Sequence, residues 1–199
     1  MPAFPKAGDD AAPKPANGEA TPKEKADKSS EPAQAKAGAV AINPDNTKIE
    51  FVGTKTKPIP GKHDGGFKTF TGNIEVGDKG VSKVSVDIDA DSLYSDTPKL
   101  TGHLKSPDFF DVKTYPKASF ASSDIKAEAA KDATHVITGD LTLHGQKKAI
   151  TFPAKIEVAA SAVTITSEFK INRSEFGISY GKGQVDEPVT IKVTVKAAR

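Results

Sequence analysis

The feature that most constrains this chain is an alternation of apolar and polar residues, which recurs in eight separate stretches after Ala41. Successive side chains of a strand point to opposite faces, so a period of two marks a ribbon with one dry and one wet side. The first ribbon carries Ile49 and Phe51 on one side, and the second Phe70, Gly72, Ile74 and Val76. The third carries Val84, Val86, Ile88 and Ala90, and the fourth Ala118, Phe120 and Ser122. The fifth has Ile137, Gly139, Leu141 and Leu143, and the sixth Ile150, Phe152, Ala154, Ile156 and Val158. The last two have Val163, Ile165, Ser167, Phe169 and Ile171, then Val189, Ile191, Val193 and Val195. Such one-sided ribbons belong to antiparallel sheets. Short turns at Gly77–Gly80 and His144–Lys147 make neighbours in sequence neighbours in space. An open sheet of this size would leave two sticky edges, which closure removes. The predicted fold class is therefore all-β: an eight-stranded antiparallel barrel.

Two connections are longer. In 91–116, Thr97-Pro98 reads as a helix N-cap followed by Pro at the first helical position, with Leu100 and Leu104 on one face. Ser106-Pro107 ends this short helical insertion and starts a single turn over Asp108–Asp111, where the two carboxylates serve as caps. Residues 173–187, with Gly177, Gly181 and Gly183, form a second loop. Residues 1–40 hold six Pro, eleven Ala, and six Lys against six acids, and almost no bulky apolar side chain besides Phe4 and Val40. Such a segment buries too little surface to offset its ordering entropy. It is expected to be a disordered tail or tether ahead of a folded domain, 41–199.

Charge and composition exclude several functions. Lys+Arg total 28 and Asp+Glu 26, interleaved, so no clustered basic face for nucleic acid is expected. The absence of Cys excludes thiolate chemistry, Cys-ligated zinc and disulfides. No apolar run is long enough for a transmembrane segment. The histidines His63, His103, His135 and His144 show no metal-ligand spacing. No nucleophile elbow, Walker loop or dinucleotide fingerprint occurs, so the chain is read as a non-enzyme.

The pattern alone leaves two interiors open. Gly72, Ala90, Ala118, Ser122, Gly139, Ala154 and Ser167 are small inward residues among large phenylalanines, which suggests a lumen with free length. Alternatively the phenylalanines fill the middle, the small residues fit the barrel taper, and the domain is a scaffold or interaction module. A hollow interior favours a long hydrocarbon, because each buried CH₂ contributes only ~0.8 kcal/mol.

Three ordered motifs then carry a resemblance. Gly102-His103-Leu104-Lys105-Ser106-Pro107-Asp108-Phe109-Phe110-Asp111-Val112, with Tyr115-Pro116 and Phe120-Ala121-Ser122, resembles the HL-S-DFFD-V-YP-F-S signature of the YceI-like family. Thr138–Gly145 looks like that family's TGDLTLHG hairpin, and Ile171–Gly177 like its INRSDFG strand end. The resemblance implies a lipocalin-like barrel over roughly 41–197. It further implies an exported protein, periplasmic or secreted, that holds a polyisoprenoid or similar long-chain amphiphile in the pore. No catalytic activity or other cofactor is implied, and a homodimer is a mild expectation. The chain departs from the commoner family pattern between its first two strands, where residues 55–67 replace a short RH…GRF link with a longer Pro/Gly-rich loop.

The expected ligand-binding wall is Phe51, Phe70, Ile74, Val86, Ile88, Leu104, Phe109, Phe120, Leu141, Leu143, Phe152, Ile156, Phe169, Ile171, Arg173, Ile191 and Val193. His103 and Arg173 are head-group candidates. Each has a plainer alternative: His103 as a packing or capping residue of the helix, Arg173 as half of an ion pair at the barrel mouth. Phe109 and Phe110 either line the entrance or anchor the insertion, and His144 is read as structural.

Overall fold

The structure, a computed structural model, describes residues 38–199 apart from Lys131. Eleven strand segments form one antiparallel sheet. They are β1 (Ala39–Ile42), β2 (Thr47–Lys55), β3 (Gly61–Phe67), β4 (Phe70–Gly77), β5 (Gly80–Asp89), β6 (Leu93–Ser95), β7 (Lys117–Ala130), β8 (Ala133–Leu143), β9 (Gln146–Val158), β10 (Ala162–Asn172) and β11 (Pro188–Ala198). One helix, α1 (Pro98–Lys105), lies between β6 and β7.

The sheet closes on itself. Its order is β1-β4-β5-β7-β8-β9-β10-β11-β2-β3-β6. β2 pairs with β11, and the segment just before it, β1, pairs with β4 at the other end of the order. Lys196 N–H donates to Asn46 O at the joint, 2.8 Å. β1 and β2 are thus one interrupted ribbon, as are β3 with β4 and β5 with β6. Counted so, eight ribbons run up and down around a lipocalin-like barrel.

The interruptions have local causes. Between β1 and β2, the Asn43 carboxamide oxygen accepts from Asp45 N and Asn46 N, an Asx turn that Asn46 Oδ1 reciprocates on Asn43 N. Between β3 and β4, Lys68 N and Thr69 N both donate to Ser92 Oγ. Ser92 closes a 3-10 turn, Ala90–Ser92, capped by the Asp89 carboxylate on Asp91 N. The three breaks lie side by side, so the wall bends there without losing a partner.

All eight predicted ribbons are present, as β2, β4, β5 and β7 to β11. Three segments went unpredicted. β1 begins at Ala39, two residues inside the stretch that composition assigned to the tail, and its Val40 is buried; the tail as far as residue 37 lies outside the described residues. β3 falls in the stretch read as a Pro/Gly-rich loop. Its sequence, Gly-Lys-His-Asp-Gly-Gly-Phe, shows no alternation because the glycines serve close approach. A Cβ on Gly65 would collide with the Phe51 ring and the Tyr94 carbonyl oxygen. β6 is three residues long and too short for a period to register.

The small inward residues also need correction. Only Ala118 and Ser167 of that set border free space. On Gly139, a Cβ would stand 2.6 Å from Phe120 Cζ and 2.5 Å from Ala121 O, so the missing side chain makes room for the Phe120 ring. On Gly72 it would run into the Ser85 carbonyl oxygen, which is main chain and cannot swing away. Gly72→Ala is accordingly expected to cost roughly 1–3 kcal/mol through overpacking. The same change at Gly102, with nothing within 4 Å of the new methyl, should stabilise by up to about 1 kcal/mol because Ala is the better helix former. Urea unfolding of the two variants should shift the midpoint in opposite directions.

The β8–β9 turn shows how sequence and shape agree. His144 (φ 51°) and Gly145 (φ 71°) both occupy the left-handed region that a two-residue hairpin of matching twist requires. His144 Nδ1 lies 3.1 Å from Phe176 O and its ring stands 4.5 Å from that of Tyr115. The histidine is structural, as expected.

Candidate functional site

The barrel encloses a cavity of about 220 Å³. Its wall includes fourteen of the expected residues: Phe51, Val86, Ile88, Leu104, Phe109, Phe120, Leu141, Leu143, Phe152, Phe169, Ile171, Arg173, Ile191 and Val193. Phe70, Ile74 and Ile156 do not border it. All three point inward, but they belong to solid core, Ile74 with no exposed surface at all. The reason is β1. It pairs Val40 with Ile74 and Ile42 with Gly72, and both of these large apolar side chains of β1 are buried. With Val163 and Ala197 they pack one end of the barrel solid, and Ile42, Ile137 and Val195 form the floor of what remains. The expectation of an open length through Ile74 and Ile156 is therefore corrected to a blind pocket.

The other end is roofed. Thr97 Oγ1 caps α1 by accepting from Leu100 N at 3.3 Å, and Ser106 Oγ ends it by donating to His103 O at 2.7 Å. The following turn is drawn back onto the helix by Phe110 N–H on Leu104 O. Capping there falls to Ser106, whose Oγ accepts from Asp108 N, and not to the carboxylates of Asp108 and Asp111 that were expected to serve. Phe110 packs 6.4 Å from Phe51 and 6.3 Å from Phe67. Phe109 and Phe110 thus do both things considered for them: they line the pocket and anchor the insertion.

The head-group candidates are occupied with the roof itself. His103 Nε2 is 3.1 Å from Asp108 Oδ2, and its ring stands edge-on to Phe109 and Tyr180 at 5.0 and 4.9 Å. Arg173 is buried with no carboxylate in ion-pair contact among the described residues, so main-chain bonds stand where the ion-pair alternative placed an acid. Its Nε, Nη1 and Nη2 donate to the carbonyls of Asp186, Ile178 and Val185 at 2.9, 2.9 and 3.0 Å. Burial pulls the guanidinium below its ordinary pKa, against the opposing charges of Glu187 and Asp186. The other histidines have separate partners: His63 faces Asp96 and His135 faces Thr134.

What the wall offers a ligand is hydrocarbon. Its few polar groups are spent internally: Ser167 Oγ donates to Pro153 O at 2.6 Å, Thr47 Oγ1 to Asn46 Oδ1 at 2.8 Å, and Asp186 Oδ2 accepts from Thr54. Among the described residues no buried side-chain nitrogen or oxygen lacks a partner. Such a wall has no way to hold a polar metabolite. Burying apolar surface is the one large favourable term it can supply. Across the middle, Phe152 stacks on Phe169 with centroids 4.1 Å apart and meets Phe120 at 5.5 Å.

Several wall residues lie outside the expected ligand-binding set. Ile49, Val84, Ile137, Ile150, Ile165, Val189 and Val195 lie on the predicted inward faces, so the alternation contained them. Ile42, Phe67, Ile178 and Val185 lie on β1, β3 and the 173–187 loop, where no period exists to reveal them.

Fold and pocket together define a closed eight-ribbon barrel with a roofed, apolar interior. The chain belongs to the YceI-like domain family, whose model matches residues 41–197. It is 34% identical over 143 residues to a UPF0312 protein of Pseudomonas putida strain W619, covering 68% of this chain and 73% of that one. It is 31% identical over 144 residues to protein YceI of Escherichia coli O157:H7, with the same coverage. Among solved structures it is similar to BcnA of Burkholderia cenocepacia, with a TM-score of 0.66 and 27% identity over 76% of this chain and 96% of that one. A polyisoprenoid binding domain from Saccharophagus degradans shares the fold at a TM-score of 0.62 and 15% identity, over 82% of this chain and 99% of that one.

Proposed function

We propose that the protein binds the apolar chain of an isoprenoid or similar amphipathic lipid in its lumen, as a carrier or reservoir in the periplasm or outside the cell, without chemistry of its own. The observation that carries this reading is a 220 Å³ cavity with an apolar wall, in a domain where, among the described residues, no buried side-chain nitrogen or oxygen lacks a partner. An engineered cavity of about 150 Å³ holds benzene, so on the same scale this one seats roughly nine carbons. Their burial is worth about 7 kcal/mol gross at ~0.8 kcal/mol per carbon, before association costs. That suits one segment of a long chain. The fold neighbour that is a polyisoprenoid binding domain supports the isoprenoid class. The alternative, a filled barrel acting as a scaffold, requires the phenylalanines to meet with no gap, which the cavity opposes.

Native mass spectrometry of protein taken from its own cells is the test. The expected result is a mass increment from bound lipid, and uptake of prenyl or acyl chains after delipidation. A gently handled sample that carries no lipid and takes up neither chain overturns the proposal.

A further inference from the structure

The barrel wall is unzipped along part of one joint. β9 and β10 pair only from Val158↔Val163 to Lys155↔Thr166. Beyond that, β9 remains paired to β8 back to Gln146, and β10 to β11 as far as Asn172, but not to each other. The ladder stops at Pro153. Ile156 N and O both bond to Thr134 on the β8 side. Main-chain groups alternate sides along a strand, so Pro153 is turned toward β10. There it has no N–H to give. Its carbonyl takes the Ser167 hydroxyl instead of a main-chain donor.

Continuing the register would set Phe152 against Phe169, Thr151 against Lys170 and Ile150 against Ile171. A surface cleft lies along that line, bordered by Ile150, Thr151, Lys170, Ile171, Asn172 and Glu175 among others. Ile150 and Ile171 border both this cleft and the lumen. At this joint, outside and inside are therefore separated by side chains with no hydrogen-bonded ladder across them. The stacked pair Phe152/Phe169 spans the same line. Pairing is also incomplete between β5 and β7, where it stops at Ser85↔Ala121, but there Val84 N donates to Ser122 Oγ. β1 makes no ladder with β11, but it lies at the solid end. The roofed end is tied by the three Arg173 bonds, the α1 turn and the His103–Phe109–Tyr180 cluster. The floor is solid. A chain longer than the roughly nine carbons the pocket seats has to leave the barrel somewhere, and this joint presents the least main-chain resistance.

We infer that the β9/β10 joint is a lateral portal, through which the hydrocarbon of a single-chain amphiphile enters and leaves the lumen, with Ile150, Ile171 and the Phe152/Phe169 pair as its gate. The inference rests on the lumen-binding reading above. It places the ligand's polar end beside Thr151 and Lys170, at the cleft, and not under α1.

The absence of Cys makes the test clean. Thr151→Cys with Lys170→Cys is bridged by a short, reducible bis-methanethiosulfonate cross-linker, and a second variant, Asp91→Cys with Lys105→Cys at the Lys105–Asp91 ion pair (3.3 Å), is bridged across the roof. Exchange of a fluorescent long-chain fatty acid is followed by stopped flow. Closing the joint should slow both uptake and release by about tenfold or more, as pinning a gate does, with recovery on reduction. Bridging the roof should leave both rates within about twofold. Unchanged rates with the joint bridged, or a block caused by the roof bridge, overturn the portal while leaving lumen binding intact. A probe that fails to bind even the unmodified protein overturns both. Pro153→Val gives an independent reading, since its side chain faces solvent and its new N–H can extend the ladder. Slower exchange with greater hydrogen-exchange protection at Thr151 and Lys170 supports the portal; greater protection with unchanged exchange counts against it.

Discussion

Phe152→Arg is expected to abolish the cooperative unfolding transition of the barrel. Phe152 is 8% exposed, borders the lumen, stacks on Phe169 and touches Phe120. A guanidinium there would enter a space whose polar groups are already committed to one another. An unpaired buried charge is among the costliest of substitutions, and losses above about 4–5 kcal/mol belong to this class. That is a large share of the roughly 5–15 kcal/mol by which domains are stable. Phe152→Leu separates charge from volume: it keeps the interior dry, and a loss of roughly 1–3 kcal/mol from the poorer fill is expected. Circular dichroism during urea titration reads both. A Phe152→Arg protein that unfolds normally and still retains lipid would mean that β9 faces the other way.

Arg173→Leu should be the second most damaging change, although Leu matches the apolar wall around it. The guanidinium is the shared donor for three carbonyls of the 173–187 loop. Each buried acceptor left dry costs about 1–3 kcal/mol, and the loop will open before all three costs are borne together, so a net loss of roughly 2–4 kcal/mol is expected. Arg173→Lys should recover little, because one ammonium cannot reproduce a planar fork aimed at three separate oxygens. The urea midpoint gives the magnitude. Protease cleavage within 177–187, rising in both variants before global unfolding, gives the location. An intact loop in Arg173→Leu would show that the three bonds are incidental.

These two residues also mark what the sequence could and could not convey. The parity of Phe152 follows from a local rule, since a period of two assigns every residue of a regular ribbon to a face. That rule recovered eight ribbons and twelve of the fourteen wall residues, Leu104 and Phe109 belonging to the helical insertion. It said nothing about depth, because Ile74 and Phe51 both alternate correctly while only one borders free space. The difference lies in β1, where Ala-Val-Ala-Ile is too short to display a period and sits against a low-complexity tail. Glycine misled for a related reason. In β3 it permits Phe51 and Tyr94 to press against the main chain, and at Gly139 it seats a ring. The absence of a side chain looks the same in sequence whether it creates room or surrenders it to a neighbour. Arg173 was legible as an inward charge near the mouth, but its partners are carbonyl oxygens, which no residue type announces. The motif carrying His103 indicated the family; the contacts of His103 with Asp108, Phe109 and Tyr180 are those of a residue holding a roof in place.

The four residues of β1 have one more consequence. They act as a plug at the base of a bore, and a plug sets a depth stop: nothing can thread past Ile42. A chain shortened so that it begins after Ile42 would keep most of its ribbons yet lose that stop, turning a cup into a sleeve open at its base. Ligand length would then be limited by the sleeve's rim and no longer by its bottom, so the segment nearest the tail, rather than any residue of the wall, gauges how much of a lipid this barrel can swallow.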